Sequence, residues 1–258
     1  MAGQICSQIT RCGFSCQPPT AFVTLPNCCR RRRERLMVKI KICGNRTLDD
    51  VEITGGADAQ GFIVDVPSSP RNLDLCWAKW LVRTVKLFNV AVLVTQASEP
   101  ERLAQLTEEV RPDVLQIHKE LSLSELQRIR RAIPAPVKLC SLLSVNEPVE
   151  NLIKRALVLA QPPLDALLLD SRRGAQLGGT SRVHDWQVSR AIREAVQPFP
   201  VILAGGITPQ NVIEAIRAVR PYALDVSSGV EEQGRKSPVK VQALLERVHA
   251  YAYGHQVG

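Results

Sequence analysis

From Met37 onward, short apolar runs alternate with stretches of helical periodicity. Runs at residues 38–42, 61–65, 90–95, 114–117, 137–139, 166–169, 201–204 and 223–226 predict strands. They read as continuous apolar segments, the pattern of parallel strands buried on both faces rather than of a sheet with one wet face. Helix start signals lie between them. Thr47 precedes Leu48-Asp49-Asp50, Ser98 precedes Glu99-Pro100, and Ser124 precedes Glu125. Asp185 opens Trp186–Val196, Thr208 precedes Pro209, and Ser237 precedes Pro238, where a first-turn proline sacrifices no hydrogen bond. Strand followed by helix, repeated eight times, implies an α/β fold with a parallel sheet. An open dinucleotide-binding sheet would carry a glycine-rich fingerprint after its first strand, and Cys43-Gly44-Asn45-Arg46 is not one. The expected architecture is therefore a closed (β/α)8 TIM barrel spanning residues 37–258 as a single domain.

Composition changes this picture only at the N-terminus. The chain of 258 residues is 45% hydrophobic, enough for one large barrel core. Of the net charge of +8, residues 1–36 supply +5, from Arg11, Arg30, Arg31, Arg32, Arg33 and Arg35 against Glu34. No aromatic side chains interleave with Arg30–Arg33 to stack bases, so a solvated charge run is expected and no nucleic-acid partner. Cys6, Cys12, Cys16, Cys28 and Cys29 crowd the same stretch in a weak zinc pattern, and no metal site is expected. Cys43, Cys76 and Cys140 are scattered, as in a reduced cytoplasmic protein. No apolar run approaches the roughly 18 residues of a membrane span, and the arginines follow the mildly apolar stretch instead of preceding it as in a secretion signal. Residues 1–36 thus read as a disordered, dispensable extension, with Met37 an alternative start directly before the first strand.

A barrel places its chemistry at the C-terminal ends of its strands. Cys43 follows the first run, Arg71 lies in the loop after the second, His118 ends the fourth and Asp170 follows the sixth. Gly205-Gly206 follows the seventh and Ser227-Ser228-Gly229 the eighth. Glycines admit an anion close to backbone N–H groups, and loops seven and eight are the usual phosphate cradle, so a phosphorylated ligand is expected. Cys43 and Asp170 could form an acid/base pair across the mouth. Equally, a cysteine after a strand is commonly a small buried hydrophobe, and an aspartate there a turn or cap residue. Spacing alone decides neither.

The residues themselves narrow the choice. Val38-Lys39-Ile40-Lys41-Ile42-Cys43-Gly44, Gly56-Ala57-Asp58-Ala59-Gln60-Gly61-Phe62 and Ser69-Pro70-Arg71 resemble the opening of the phosphoribosylanthranilate isomerases. Leu115-Gln116-Ile117-His118, Asp165–Asp170, Gly178-Gly179-Thr180, His184-Asp185-Trp186, Leu203–Gly206 and Arg220–Glu231 extend that likeness, in order, to the end of the chain. Residues 1–36 fall outside it. The resemblance implies Cys43 as general base, Asp170 as general acid and Arg71 as the anchor of the anthranilate carboxylate. It implies that Gly205, Gly206, Ser227, Ser228 and Gly229 hold the phosphate, and that Asp225 helps orient the ribose or the site, with His118 structural. Where the family carries lysine and aspartate before the last helix, this chain has Lys236-Ser237, and serine can still cap. The implied reaction is an Amadori rearrangement of a small phosphorylated substrate in tryptophan biosynthesis. It needs neither metal nor organic cofactor, because the substrate amine stabilises the charge. Neither a nucleic acid nor a membrane is implied as a partner, and the enzyme would be a monomer or homodimer. The related histidine-pathway isomerases place an aspartate where this chain has Cys43. A catalytically idle phosphate-binding paralogue would have no use for the Cys43–Asp170 pair.

Overall fold

The computed structural model describes residues 37–170 and 186–254. The expected extension, and the loop motifs at Gly178-Gly179-Thr180 and His184-Asp185, lie outside the described residues.

The strands are β1 (Lys39–Cys43), β2 (Ala59–Val64), the two-residue β3 (Asn72–Leu73), β4 (Val90–Thr95), β5 (Val114–Ile117), β6 (Lys138–Ser144), β7 (Ala166–Asp170), β8 (Val201–Ala204) and β9 (Ala223–Val226). Each barrel strand pairs in parallel with its neighbours, and β1 pairs with both β2 and β9, which closes eight strands on themselves with β3 as a spur on β2. Around them lie α1 (Leu48–Ile53), α2 (Leu75–Val82), α3 (Pro100–Val110), α4 (Leu123–Ala132), α5 (Val149–Leu159), α6 (Trp186–Val196), α7 (Val212–Val219) and α8 (Pro238–Gly254). A small antiparallel hairpin, β10 (Glu231–Glu232) with β11 (Arg235–Lys236), leads into α8.

Alternation along the strands sorts the core into two layers. Outward residues such as Leu93, Leu115, Leu139, Leu167 and Leu169 pack with helix residues such as Leu103, Leu126 and Leu152. Inward residues form smaller groups, Cys43 with Val92 and Val94, and Cys140 with Leu142, Leu168 and Ala204. The same interior holds buried Lys41, Gln116 and Asp225. The first strand therefore departs from the continuous apolar expectation, since Lys41 turns its ammonium into the barrel.

Several boundaries differ from the sequence reading for identifiable reasons. Strand β6 runs on to Ser144 rather than stopping at Leu139, because fully buried Ser141 places its hydroxyl on the Lys119 carbonyl at 3.4 Å. Strand β2 starts at Ala59, since the buried Gln60 amide donates to Val51 O and Thr54 Oγ1. Thr47 caps α1 in a reciprocal box with Asp50, as expected. The cap of α4 is Ser122 instead of Ser124, because only Ser122 stands three residues before Glu125 and completes the same box. Glu99, not Ser98, occupies the cap position of α3, with Pro100 in its first turn. Helix α7 begins after Asn211, three residues beyond the expected Thr208. The Asn211 side chain accepts from the Thr208 N–H at 2.8 Å and donates to Gly206 O at 2.9 Å, closing a turn before the helix.

Candidate active site

The C-terminal mouth of the barrel opens into a cavity of about 330 Å³. Every residue singled out from the sequence lines it: Cys43, Arg71, Asp170, Gly205, Gly206, Asp225, Ser227, Ser228 and Gly229. Gln116, Ser69 and His118 join the wall.

Cys43 ends β1, buried, directly opposite Gly61 of β2. A Cβ at Gly61 would lie 2.9 Å from Cys43 Sγ and 3.1 Å from Lys41 Cε, so glycine makes room for both side chains. Lys41 Nζ pairs with Asp225 Oδ2 at 2.7 Å, a contact set by the register that places the two residues side by side on β1 and β9. Gln116 Nε2 donates to the same oxygen at 3.2 Å. Asp225 Oδ1 is buried with no hydrogen-bond partner among the described residues. Burial pushes the Cys43 thiol upward, and the ammonium groups of Lys41 and Lys236 pull it down without overcoming that effect. Lys41 is held above its ordinary range because Asp225 and the Cys43 sulfur outweigh its own burial. Burial pushes Cys140, on the inner face of β6, up to about 12 against a smaller downward pull from Lys41, which leaves it inert.

On the facing wall, Asp170 closes β7 at 2% exposure. His118, which read as structural in the sequence, brings Nε2 within 3.6 Å of Asp170 Oδ2.

The two glycine loops are joined physically. Gly205 and Gly206 hold φ of 92° and 67°, which favours glycine at both. Gly229 follows β9 in a 3-10 turn (Ser228–Val230) and packs so tightly on the other loop that a Cβ would sit 1.8 Å from Ile207 O. Ser227 directs its hydroxyl onto the Cys43 carbonyl at 3.2 Å, tying this loop to β1.

Arg71 reaches over Gly44, where a Cβ would come within 2.4 Å of Arg71 Cδ. Its guanidinium grips Glu231 with Nε at 2.7 Å and a second bond from Nη2. Glu231 also receives Lys236 Nζ at 2.8 Å. Burial alone would raise the Glu231 carboxyl, but Arg71 and Lys236 outweigh it and hold it at about 2. The sequence reading passed over Lys41, Gln116, Glu231 and Lys236 as site residues. The one available signal was the inward spacing of Lys41, two residues before Cys43 on a buried strand.

A closed parallel barrel with polar groups and paired glycine loops at the C-terminal ends of its strands is a (β/α)8 barrel built to hold a small anionic ligand there. The family model for N-(5'-phosphoribosyl)anthranilate isomerase matches residues 40–247. The chain is 41% identical over 235 residues to the N-(5'-phosphoribosyl)anthranilate isomerase of Methanosarcina acetivorans, covering 86% of this chain and 98% of that relative. It superposes on the phosphoribosylanthranilate isomerase of Thermotoga maritima with a TM-score of 0.71 at 29% identity, covering 83% of this chain and 99% of the other; that isomerase is dimeric. A further phosphoribosylanthranilate isomerase structure, at TM-score 0.68 and 28% identity over 83% of this chain and 99% of its own, is a complex with reduced 1-(o-carboxyphenylamino)-1-deoxyribulose 5-phosphate. The chain belongs to the phosphoribosylanthranilate isomerase family.

Proposed function

We propose that the chain converts N-(5'-phosphoribosyl)anthranilate into 1-(o-carboxyphenylamino)-1-deoxyribulose 5-phosphate, with Cys43 as general base and Asp170 as general acid. The observation that carries this assignment is the meeting of both groups, Arg71 and the two glycine loops around one cavity, in a chain of this family. Asp170 gives its proton to the furanose ring oxygen while the nitrogen lone pair forms the C1=N bond, so the C1–O bond breaks and the ring opens to an iminium. Cys43 as thiolate takes the C2 proton, and the electrons of that C–H bond move toward the iminium to give an enolamine. Return of a proton to C1 and loss of the hydroxyl proton at C2 leave the ketose. Gly205, Gly206, Ser227, Ser228 and Gly229 hold the phosphate. Asp225 Oδ1, buried and unpartnered, suits a ribose hydroxyl, and Arg71 suits the ring carboxylate.

A fluorescence assay of phosphoribosylanthranilate consumption by the purified protein tests the reading, with the histidine-pathway aminoaldose as control. Turnover of the first and not the second is expected; turnover of the control alone would overturn the assignment. The partner is a small phosphorylated molecule, and the enzyme works in the cytoplasm as a monomer or homodimer. Among the described residues no helix is long and apolar enough to cross a membrane. Residues 37–258 form the catalytic domain in this reading, and a chain starting at Met37 keeps activity and thermal stability.

A further inference from the structure

Lys236 is the most deeply buried cation of the mouth, its side chain 1% exposed. Its ammonium has three acceptors. It donates to the Cys43 carbonyl at 2.6 Å, to the Ser227 carbonyl at 3.4 Å and to Glu231 Oε1 at 2.8 Å. Glu231 in turn fixes one face of the Arg71 fork through Nε and Nη2. The chain of contacts therefore runs from the backbone of β1 and of the loop after β9, through Lys236 and Glu231, to the guanidinium that faces the cavity.

Stability is a poor explanation for this arrangement. Two cations and a carboxylate taken out of water gain little over apolar residues of the same size. What such a cluster does supply is a fixed position: a planar guanidinium held bidentately on one edge can present only its remaining N–H groups, in one plane. We infer that Glu231 and Lys236 are positioning residues that set the plane of Arg71, and so determine this enzyme's preference for an aromatic amine bearing a carboxylate. The inference rests on the assignment of Arg71 to that carboxylate under the proposed function. Lys236 makes the setting common to the whole site, because its other two acceptors are the backbone of the base and of the phosphate loop.

The test compares kcat/KM for phosphoribosylanthranilate with kcat/KM for the N-phosphoribosyl derivative of aniline, which lacks the ring carboxylate. In E231Q this ratio falls about tenfold, the loss of one well-aimed charged hydrogen bond, and E231D restores part of it. E231Q leaves Lys236 buried without its carboxylate; the double variant E231Q/K236M removes that unpaired charge, and its ratio falls in the same way. A merely structural role would lower both kcat/KM values together and leave the ratio at the wild-type value, which would overturn the inference. R71A supplies the separate check on the underlying reading. If R71A abolishes the preference while E231Q and the double variant keep it, Arg71 binds the carboxylate without needing a mount. If R71A itself keeps the preference, the assignment of Arg71 falls, and the inference falls with it.

Discussion

At the end of β1, Cys43 lies between two buried ammonium groups, Lys41 on the barrel side and Lys236 on its own carbonyl. At the end of β7, Asp170 caps a run of three fully buried leucines, Leu167, Leu168 and Leu169, and faces His118 across 3.6 Å. One wall of the mouth is built from lysine–carboxylate pairs, the other presents the Asp170 carboxyl beside the His118 imidazole. The contrast bears on the two tasks proposed for these groups. Forming a thiolate places a negative charge in a dry site, and nearby cations lower that cost. A proton donor must instead reach the ring oxygen across the cavity, and Asp170 lines that cavity at the end of its strand.

The bluntest way to break the comparison is to remove each group in turn. C43S replaces an ionisable thiol with a hydroxyl too weakly acidic to serve as base, and D170N keeps the shape without the transferable proton. Each is expected to cut kcat by about 100-fold or more with little change in KM, as read by steady-state kinetics. Near-wild-type kcat in either folded variant would remove that group from the mechanism.

Substitutions in the two glycine loops probe the proposed phosphate cradle apart from both walls. G229V must displace Ile207 O, a backbone atom 1.8 Å from the new Cβ, whereas G206V strains the backbone at a φ of 67°. KM is therefore expected to rise about tenfold or more in G229V, on the order of 1.4 kcal/mol, and less in G206V. Inorganic phosphate should compete with substrate in the wild type. Equal effects would mean that the seam between the loops is not what shapes the cradle.

The smallest effect sharpens the charged wall. Because burial holds the Cys43 thiol above its ordinary range, the thiolate, and with it activity, is gained as pH rises. K41M removes one of the two cations that oppose burial, so the rising limb of the kcat profile should move to still higher pH, with the loss of activity recoverable in alkali. A profile that keeps its shape and merely drops would assign Lys41 to packing alone.

Much of this was readable from the chain. Eight buried runs announce the barrel, and strand ends announce its mouth, because period and position are local properties of sequence. Thr47 was legible as a cap for the same reason. The start of α7 was not, since Asn211 works backward onto Thr208 and Gly206 and so delays the helix. The charged wall was illegible for a different reason. Lys41 meets Asp225 across 184 positions, and Arg71 meets Glu231 across 160. Nothing local in the sequence names those partners. Glu231 and Lys236, five positions apart and paired across a hairpin, read only as the approach to the last helix.

The pairing of β1 with β9 also fixes an order of events during synthesis. A ribosome that has released the first half of the barrel has delivered Lys41, Cys43 and Arg71, but neither Asp225 nor the Glu231–Lys236 hairpin. Until the ninth strand docks, the Lys41 ammonium has no carboxylate and must stay in water, so the first strand cannot settle into a dry interior ahead of the last. Closure of such a non-local contact is slow by loop entropy alone. The nascent chain therefore completes the Lys41–Asp225 pair beside Cys43 at the same step in which it acquires its final topology.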